Sequence, residues 1–149
     1  MSVLRSKRSG PEAVLLHEID IDDPPLAVIF GVAGDSLSDT ERAFFQQSNP
    51  LGFILFSRNC VEPEQLKKLV AELQDCLGRE VPILIDQEGG RVQRLRPPHW
   101  KEHPPARKFG EAFLHDFSKG RKMLEDSAAA LAQELGDEGI NVNCAPVMD

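Results

Sequence analysis

The chain has 149 residues, of which 41% are hydrophobic and 28% are charged, so it can bury one ordinary core and is too apolar for a disordered tail. Its 24 acidic and 17 basic residues give a formal net charge of −7, which repels phosphate backbones and argues against general nucleic-acid binding. No apolar run approaches the roughly 20 residues that a membrane-spanning helix needs, so we expect no membrane partner.

The amino-terminal segment, residues 1–25, is predicted to be a weakly ordered leader that ends at Pro24 and Pro25. Basic residues precede a short apolar stretch, but that stretch is interrupted and lacks a plausible signal-peptidase site. The cysteines are odd in number and lie in apolar stretches, which favours reduced, buried thiols over a disulfide framework. We therefore expect a cytoplasmic protein.

From residue 26 onward, short apolar runs alternate with amphipathic stretches. The apolar runs predict four strands, which are Leu26–Phe30, Leu51–Phe56, Val81–Ile85 and Ile140–Val147. Three helices and one long loop are predicted between them. The first helix begins at Ser38, where a capping box with Glu41 is expected, and runs to about Gln47.

The second predicted helix begins at Pro63 and ends at Gly78. Its apolar side chains recur at helical spacing and predict one buried stripe, which consists of Leu66, Leu69, Val70, Leu73, Cys76 and Leu77. A proline-rich loop over about residues 87–117 precedes the third helix, which Gly136 or Gly139 closes. The residues that share a face of the third helix are Leu124, Ala128, Leu131 and Leu135.

This order of elements predicts an α/β fold with a parallel sheet and right-handed crossovers. Four strands make either a small open sheet or about half of a TIM barrel, because a complete barrel needs eight strands and about 250 residues. In both arrangements the loops after the strands converge at one edge of the sheet. We therefore expect functional side chains at the carboxyl ends of the strands.

Asp86 is the first candidate for such a site, because it directly follows an Ile-Leu-Ile strand. A carboxylate in this position caps the following turn, pairs with Arg91 or Arg94, or contacts a ligand, and the spacing leaves these alternatives open. Gly89 and Gly90 either permit a tight turn or let a ligand approach the backbone, and the turn is favoured.

Residues 91–108 are locally positive, with Glu102 as the single acidic residue among them. The basic residues are Arg91, Arg94, Arg96, Lys101, Arg107 and Lys108. The segment is either a solvated loop or a cover over the edge of the sheet that offers one or two arginines to a hydroxyl-rich or anionic ligand. Its length favours the cover.

Metal and cofactor sites find little support. His99 and His103 have the spacing of a helical metal-binding pair, but the surrounding prolines argue against a helix there. Asp86 and Glu88 supply too few oxygen ligands for a hard cation. No glycine-rich phosphate-binding motif is present, so we expect no metal and no cofactor.

Three segments of the chain together resemble the amino-terminal barrel of glycoside hydrolase family 3. They are LGFILFSRN at 51–59, IDQEGGRVQRL at 85–95 and GINVNCAPVMD at 139–149. Within that family the chain is most similar to the bacterial β-N-acetylhexosaminidases of peptidoglycan recycling. The resemblance implies that residues 26–149 form an incomplete TIM (β/α)8 barrel domain with about four parallel strands and intervening helices.

The resemblance also implies roles for two residues. The family position that matches Asp86 hydrogen-bonds hydroxyls of the non-reducing N-acetylglucosamine, and the position that matches Arg94 helps to bind the same sugar. The intact parent would hydrolyse terminal β-linked N-acetylglucosamine from muropeptide or chitooligosaccharide-type substrates.

The implied mechanism is a retaining one, with an aspartate nucleophile and a histidine as acid/base. In the family these groups come from later strands and loops. We therefore expect no catalytic residue in these 149 positions and no hydrolysis by this chain alone.

Two alternatives remain beside a family 3 hydrolase. One is a noncatalytic remnant or pseudoenzyme that binds an amino sugar or a partner chain, and the other is an open flavodoxin-like domain that binds a small anion near Arg91 and Arg94. A half barrel exposes the backbone edges of its first and last strands. We therefore expect self-association or a complementing fragment at these edges.

Overall fold

The computed structural model describes residues 24–147. Except for Pro24 and Pro25, the predicted leader 1–25 lies outside the described residues, and so does Asp149. The elements, in chain order, are β1 (Leu26–Gly31), α1 (Asp39–Ser48), β2 (Pro50–Leu55), α2 (Pro63–Leu77), β3 (Ile83–Ile85), α3 (Ala106–His115), α4 (Phe117–Asp137) and β4 (Val142–Asn143). A short 3-10 helix, Ser57–Asn59, follows β2.

The four strands form one parallel sheet in the order β1-β2-β3-β4. Phe53 of β2 pairs with Ile83 of β3, and Ile85 of β3 pairs with Asn143 of β4. This sequential order is that of one side of a barrel, whereas a flavodoxin-like sheet has its first two strands exchanged. The flavodoxin-like alternative is therefore wrong for the described strands.

The hydrophobic core lies between the sheet and α2. Phe53, Leu55, Ile83 and Ile85 are fully buried, whereas Ile54 and Leu84, which alternate with them and point to the other face of the sheet, are only half-buried. The stripe predicted on α2 is confirmed: Leu66, Leu69, Val70, Leu73 and Cys76 are buried, and Leu77 packs against the same cluster. Within residues 24–147, no helix is both long enough and apolar enough to cross a membrane.

The predicted helix ends are also confirmed. The Ser38 hydroxyl accepts a hydrogen bond from Glu41 N, and the Glu41 carboxylate accepts one from Ser38 N, which completes the capping box. Gly78 caps α2 with φ 64°, in the left-handed region that favours glycine. Of the two glycines predicted to close α4, Gly139 has the positive φ of 78°.

The prediction of a structureless loop over residues 87–117 is wrong in its second half, where α3 forms. Pro105 stands at the N-cap of α3, a position where the missing N–H of proline costs nothing. The prolines that argue against a helix at residues 97–105 therefore permit one immediately afterwards. Gly120 of α4 lets the two helices approach, since a Cβ there would lie 2.7 Å from the backbone nitrogen of Phe113.

The fourth strand is shorter than the predicted Ile140–Val147, because two asparagine side chains take over part of its pairing with β3. Asn141 Oδ1 accepts a hydrogen bond from Ile83 N at 2.7 Å, and Asn141 Nδ2 donates to Val81 O at 3.1 Å. Asn143 binds the backbone N–H and carbonyl of Gln87 in the same way, at 3.0 and 2.9 Å. These amides extend the connection between β3 and β4 beyond the short backbone ladder.

Candidate functional site

Asp86 and Arg94 form an ion pair at the carboxyl end of β3. Arg94 donates a hydrogen bond from a terminal guanidinium nitrogen to Asp86 Oδ2 at 2.7 Å, and each side chain is 26% exposed. The spacing leaves both pairing and ligand contact open for Asp86, and the structure realises the pairing. The partial exposure leaves a carboxylate oxygen and guanidinium N–H groups with capacity for further hydrogen bonds.

Gln87 fixes the backbone that carries Arg94. Its side chain is fully buried, and its Oε1 accepts hydrogen bonds from Arg94 N at 2.7 Å and Leu95 N at 3.1 Å. Gln87 Nε2 donates to Leu95 O at 3.1 Å. A buried amide whose donor and acceptor are both satisfied orders the backbone around it. The sequence shows a polar amide near the end of a buried strand, but it does not reveal that this amide is itself buried or that it binds the backbone of residues 94 and 95.

Gln93 plays a similar part further along the loop. It is 2% exposed, and its Nε2 donates to Leu95 O and Lys101 O at 2.8 and 2.7 Å. Gln93 Oε1 accepts from His103 N at 3.0 Å. The segment between β3 and α3 is therefore a folded loop tied together by two buried glutamines.

Gly89 and Gly90 form the predicted turn, with φ values of 92° and 59°. Gly89 N and Glu88 N both donate to Val92 O, at 3.2 and 2.9 Å. A Cβ on Gly89 would collide with the Pro104 carbonyl. The close backbone approach that these glycines permit is thus an approach to the chain's own 103–105 segment.

Helix α4 holds the outer part of the same loop. Glu134 accepts a hydrogen bond from Lys101 N at 3.0 Å and pairs with His103 Nε2 at 2.9 Å. One turn later, Glu138 Oε1 accepts from Trp100 Nε1 at 2.9 Å. His103 is therefore engaged in a buried contact with a carboxylate. In the described part of the chain, no three His, Cys, Asp or Glu side chains cluster in a way that could hold a metal ion.

The remaining basic residues of the loop do not converge on Asp86. Arg96 donates to the backbone carbonyls of Gln93 and Arg91, at 2.7 and 2.9 Å, and so holds the loop. Arg107 pairs with Glu111 on the exposed face of α3. Within the described residues, Arg94 is the one basic residue of segment 91–108 that contacts Asp86. The segment therefore contributes one arginine to the carboxyl edge of the sheet, which we call the rim.

The polar residues after β2 are structural. Asn59 is fully buried, and its Nδ2 donates to Val32 O at 3.1 Å and to Gly34 O. Arg58 Nε donates to the same Val32 carbonyl at 3.0 Å, and its guanidinium lies 4.7 Å from the centre of the Phe56 ring. These side chains tie the loop after β1 to the end of β2.

All three cysteines are free thiols. Burial raises the pKa of Cys60 to about 12, with the Glu138 carboxylate adding to the shift and Arg94 opposing it. Burial also raises the pKa of Cys144, and the Asp86 carboxylate beside it raises that pKa further. Both thiols are therefore neutral at pH 7, and Asp86 has Cys144 as a second neighbour.

A groove of about 610 Å³ runs beside β4 and α4. Its polar end includes Gln87, Glu88 and His103, and the rest of its lining is mostly apolar. The predicted shared face of α4 lines this groove and is not fully covered, since Leu124 is 42% exposed. Among the described residues, no strand pairs with the outer edge of β4.

Comparison with known protein families identifies the family to which this fold belongs. The model of the glycosyl hydrolase family 3 N-terminal domain matches residues 20–149. A beta-hexosaminidase of Xanthomonas euvesicatoria pv. vesicatoria is 34% identical over 122 residues, which are 82% of this chain and 36% of that protein. A beta-hexosaminidase of Chromobacterium violaceum is 40% identical over 124 residues, covering 82% of this chain and 34% of the relative. The chain thus spans about a third of the length of the curated relatives it matches.

Solved structures agree with the family match. NagZ from Neisseria gonorrhoeae in complex with N-trifluoroacetyl-D-glucosamine superposes with a TM-score of 0.80 and 32% identity, over 85% of this chain and 37% of that one. A family 3 β-N-acetylglucosaminidase from Paenibacillus sp. gives a TM-score of 0.70 and 34% identity, over 79% of this chain and 22% of that one. The predicted α/β class and the amino-terminal barrel portion are confirmed by this match.

Proposed function

This chain belongs to glycosyl hydrolase family 3, and on that premise we propose that it supplies the sugar-binding rim of a β-N-acetylhexosaminidase. The substrate of the intact enzyme would be terminal β-linked N-acetylglucosamine in muropeptide or chitooligosaccharide-type molecules. The observation that carries this proposal is the partly exposed pair of Asp86 and Arg94 at the carboxyl end of β3. The relatives' names and the sugar analogue bound by one neighbour support the choice of an amino sugar.

The chemistry of the pair suits a carbohydrate. A sugar hydroxyl both donates and accepts hydrogen bonds, and here a carboxylate acceptor lies 2.7 Å from a guanidinium donor. One hydroxyl, or two neighbouring ones, can donate to Asp86 and accept from Arg94. We assign Asp86 to sugar binding rather than to nucleophilic attack, because its carboxylate is already hydrogen-bonded to Arg94. A carboxylate held in this way accepts hydrogen bonds from sugar hydroxyls and does not need to form a covalent bond.

A binding experiment tests the rim directly. The chain is titrated with N-acetylglucosamine, and the response of Asp86→Ala is compared with the wild type by NMR chemical-shift perturbation. We expect binding by the wild type and at least about a tenfold loss of affinity in the variant, because hydrogen bonds to charged groups are removed. Equal affinity in both proteins would remove Asp86 from the site, and no binding by the wild type would refute the rim proposal.

We further propose that the 149-residue polypeptide by itself does not hydrolyse glycosides. A retaining glycosidase needs a nucleophile and an acid/base poised at the anomeric carbon. Among the described residues, Asp86 is the carboxylate that we assign to the site, and we assign it to sugar binding. It therefore does not serve as the nucleophile. A chromogenic N-acetylglucosaminide is the test: turnover above a blank without enzyme would contradict the proposal.

The alternative is a noncatalytic protein that binds an amino sugar or a partner chain. It uses the same Asp86 and Arg94, so binding data alone do not separate it from part of an enzyme. Activity that appears when this chain is combined with the remaining barrel of a family 3 enzyme would favour the hydrolase. Sugar binding without such activity, in a combined protein that is folded, would favour the alternative.

For the partner, we propose that further strand-helix units of a family 3 barrel cover the groove beside β4. The sheet order is sequential, the chain spans about a third of its relatives, and the groove joins the outer edge of β4 to the apolar face of α4. A parallel strand against β4 and an amphipathic helix against α4 would cover both.

Light scattering and co-expression with the carboxyl-terminal two-thirds of the N. gonorrhoeae neighbour provide the test. A stable monomer that ignores that fragment would contradict the proposal, and a homodimer would replace the occupant with a second copy.

We also propose a cytoplasmic location and a role in peptidoglycan recycling. They are supported by the free thiols and by the amino-sugar chemistry of the family members. Cell fractionation with a tagged chain tests the location, and recovery in a secreted fraction would contradict it.

A further inference from the structure

The loop that carries Arg94, residues 86–105 and named here the β3 loop, is held from outside by α4. We propose that Glu134 of α4 is a positioning residue, which fixes the β3 loop so that Arg94 stays beside Asp86 in the pose that binds the sugar. The last step, sugar binding, rests on the proposed function. The positioning of Arg94 does not, and it is measurable without a ligand.

Both carboxylate oxygens of Glu134 contact the loop. Oε1 lies 2.9 Å from His103 Nε2, and Oε2 accepts from Lys101 N at 3.0 Å. The Glu134 side chain is 13% exposed and that of His103 is 5% exposed. Hydrogen bonds to a charged acceptor are stronger in such surroundings than in water. Glu134 therefore fixes two positions of the loop at once.

These two positions are the ones that Gln93 needs. The Gln93 amide donates to Lys101 O at 2.7 Å and accepts from His103 N at 3.0 Å. If Lys101 and His103 move away, the buried amide of Gln93 loses a donor and an acceptor together, which is costly for a side chain that is 2% exposed. Glu134 thus stabilises the conformation of Gln93 through its two neighbours.

Arg94 follows Gln93 directly in the chain. Its backbone N–H donates to Gln87 Oε1 at 2.7 Å, and its guanidinium contacts Asp86. The Nε atom of Arg94 is shielded from solvent. A contiguous set of hydrogen bonds therefore leads from Glu134 through Lys101 and His103 to the residue beside Arg94.

Hydrogen exchange at Arg94 Nε–H tests the positioning step. The 149-residue chain is compared with Glu134→Ala, in which both contacts are lost, and with Glu134→Gln, whose amide can keep the bond from Lys101 N and donate to the His103 ring. We expect about tenfold faster exchange in Glu134→Ala and a rate within about twofold of the wild type in Glu134→Gln. The resonance is assigned with Arg94→Lys, and circular dichroism monitors folding.

The matched control is Glu125→Ala. Glu125 lies on the same helix and pairs with Arg121 at the exposed surface, so its contact is solvated whereas that of Glu134 is buried. An exchange rate in Glu134→Ala equal to that in Glu125→Ala would overturn the proposal. If Glu134→Ala does not fold, His103→Ala removes one of the two contacts and decides the question: faster exchange supports the proposal, and an unchanged rate overturns it.

Titration with N-acetylglucosamine then tests the link to binding. We expect about a tenfold lower affinity in Glu134→Ala and recovery in Glu134→Gln, whereas Glu125→Ala binds as the wild type does. Faster exchange with unchanged affinity would overturn the sugar-binding step. Absence of binding by the wild type would refute the proposed function, while the exchange rates would still decide whether Glu134 positions Arg94.

Discussion

The Asp86 carboxylate and the Arg94 guanidinium lie 2.7 Å apart, although eight positions separate them in the chain. The turn at Gly89 and Gly90 reverses the backbone, and the buried Gln87 amide then aligns Arg94 N beside β3. A strand end thereby presents a negative and a positive group side by side. Polar side chains of the loop itself therefore hold this contact in place, and the effect of substituting them can be predicted.

Arg94→Lys is expected to weaken N-acetylglucosamine binding by about tenfold with little change in stability. Lysine keeps the charge but lacks the planar fork that can serve Asp86 and a hydroxyl together. A partly exposed pair contributes little to folding, so the melting temperature should stay within about 2 °C. Isothermal titration and thermal melts measure both quantities. Arg91→Lys in the same loop is the control, because Arg91 is exposed. Equal affinity for both variants would show that the fork at position 94 is not used.

Gln87→Leu is expected to destabilise the chain by about 3 kcal/mol, because the substitution keeps the approximate volume but leaves Arg94 N and Leu95 N without the buried acceptor they share. Urea unfolding gives the free energy, and Gln47→Leu on the exposed face of α1 is the control. A Gln87 variant as stable as the control would contradict the prediction, because it would mean that water replaces the hydrogen bonds of the Gln87 side chain.

The sequence predicted the elements whose signals are local. Ser38 and Glu41 mark the start of α1, Gly78 marks the end of α2, and the apolar stripe of α2 identifies its buried face. Side-chain contacts between distant segments were not predictable in this way. Asn141 binds across 58 positions to Ile83 and so replaces backbone pairing that the apolar pattern of residues 140–147 suggests.

In the candidate site, too, some residues could be predicted from local sequence signals and others could not. Asp86 could be found because a carboxylate at the end of a buried strand is unusual, and Arg94 could be named as one of several partners. The choice of Arg94 over Arg91 depends on the Gln87 and Gln93 amides, whose partners are set by the folded loop. Glu134 gave no signal in the sequence, because it lies on a helix with several other acidic residues.

Gly89→Ala is expected to cost about 2 kcal/mol or more, because its φ of 92° lies outside the region that alanine readily adopts and the new Cβ would collide with the Pro104 carbonyl. The turn would shift and carry the β3 loop with it. Chemical denaturation measures the cost. Gly34→Ala is a suitable control, because a Cβ at that position would meet open space within 4 Å. Similar values for the two variants would contradict the tight approach.

The capping box of α1 should make stability depend on acid pH. Burial raises the pKa of Glu41, but hydrogen bonds from Ala33 N–H, the Ser38 hydroxyl and Ser38 N–H together hold it below its ordinary value of 4.5. Because the folded-state pKa is depressed, this stabilisation is present above about pH 4.5 and is lost as the pH falls through the folded-state pKa. Glu41→Gln should lose most of that contribution at about pH 7 and differ less from the wild type at about pH 3. A stability difference that does not change between these pH values would contradict the assignment.

The helix cap itself gives a second, pH-independent expectation. Ser38→Ala removes the hydroxyl that accepts from Glu41 N, and such N-cap losses cost about 1 kcal/mol. Ser36→Ala in the preceding turn is the control, since its hydroxyl contacts the neighbouring Asp35 alone among the described residues. Equal urea midpoints for the two variants would show that the cap does not stabilise α1.

The thiols provide a test of the geometry around Asp86 that needs no sugar. With a pKa of about 12, Cys60 is a thiolate in only about one molecule in ten thousand at pH 8, so iodoacetamide should modify it very slowly in the native chain and readily in urea. The pKa of Cys144 is raised by burial and then by the Asp86 carboxylate. Asp86→Asn removes that negative charge, so the pKa of Cys144 should fall and its alkylation at about pH 8 should accelerate, while Cys76 reacts as before. Mass spectrometry of the modified peptides gives each rate, and an unchanged or slower reaction at Cys144 would show that Asp86 does not lie beside this thiol.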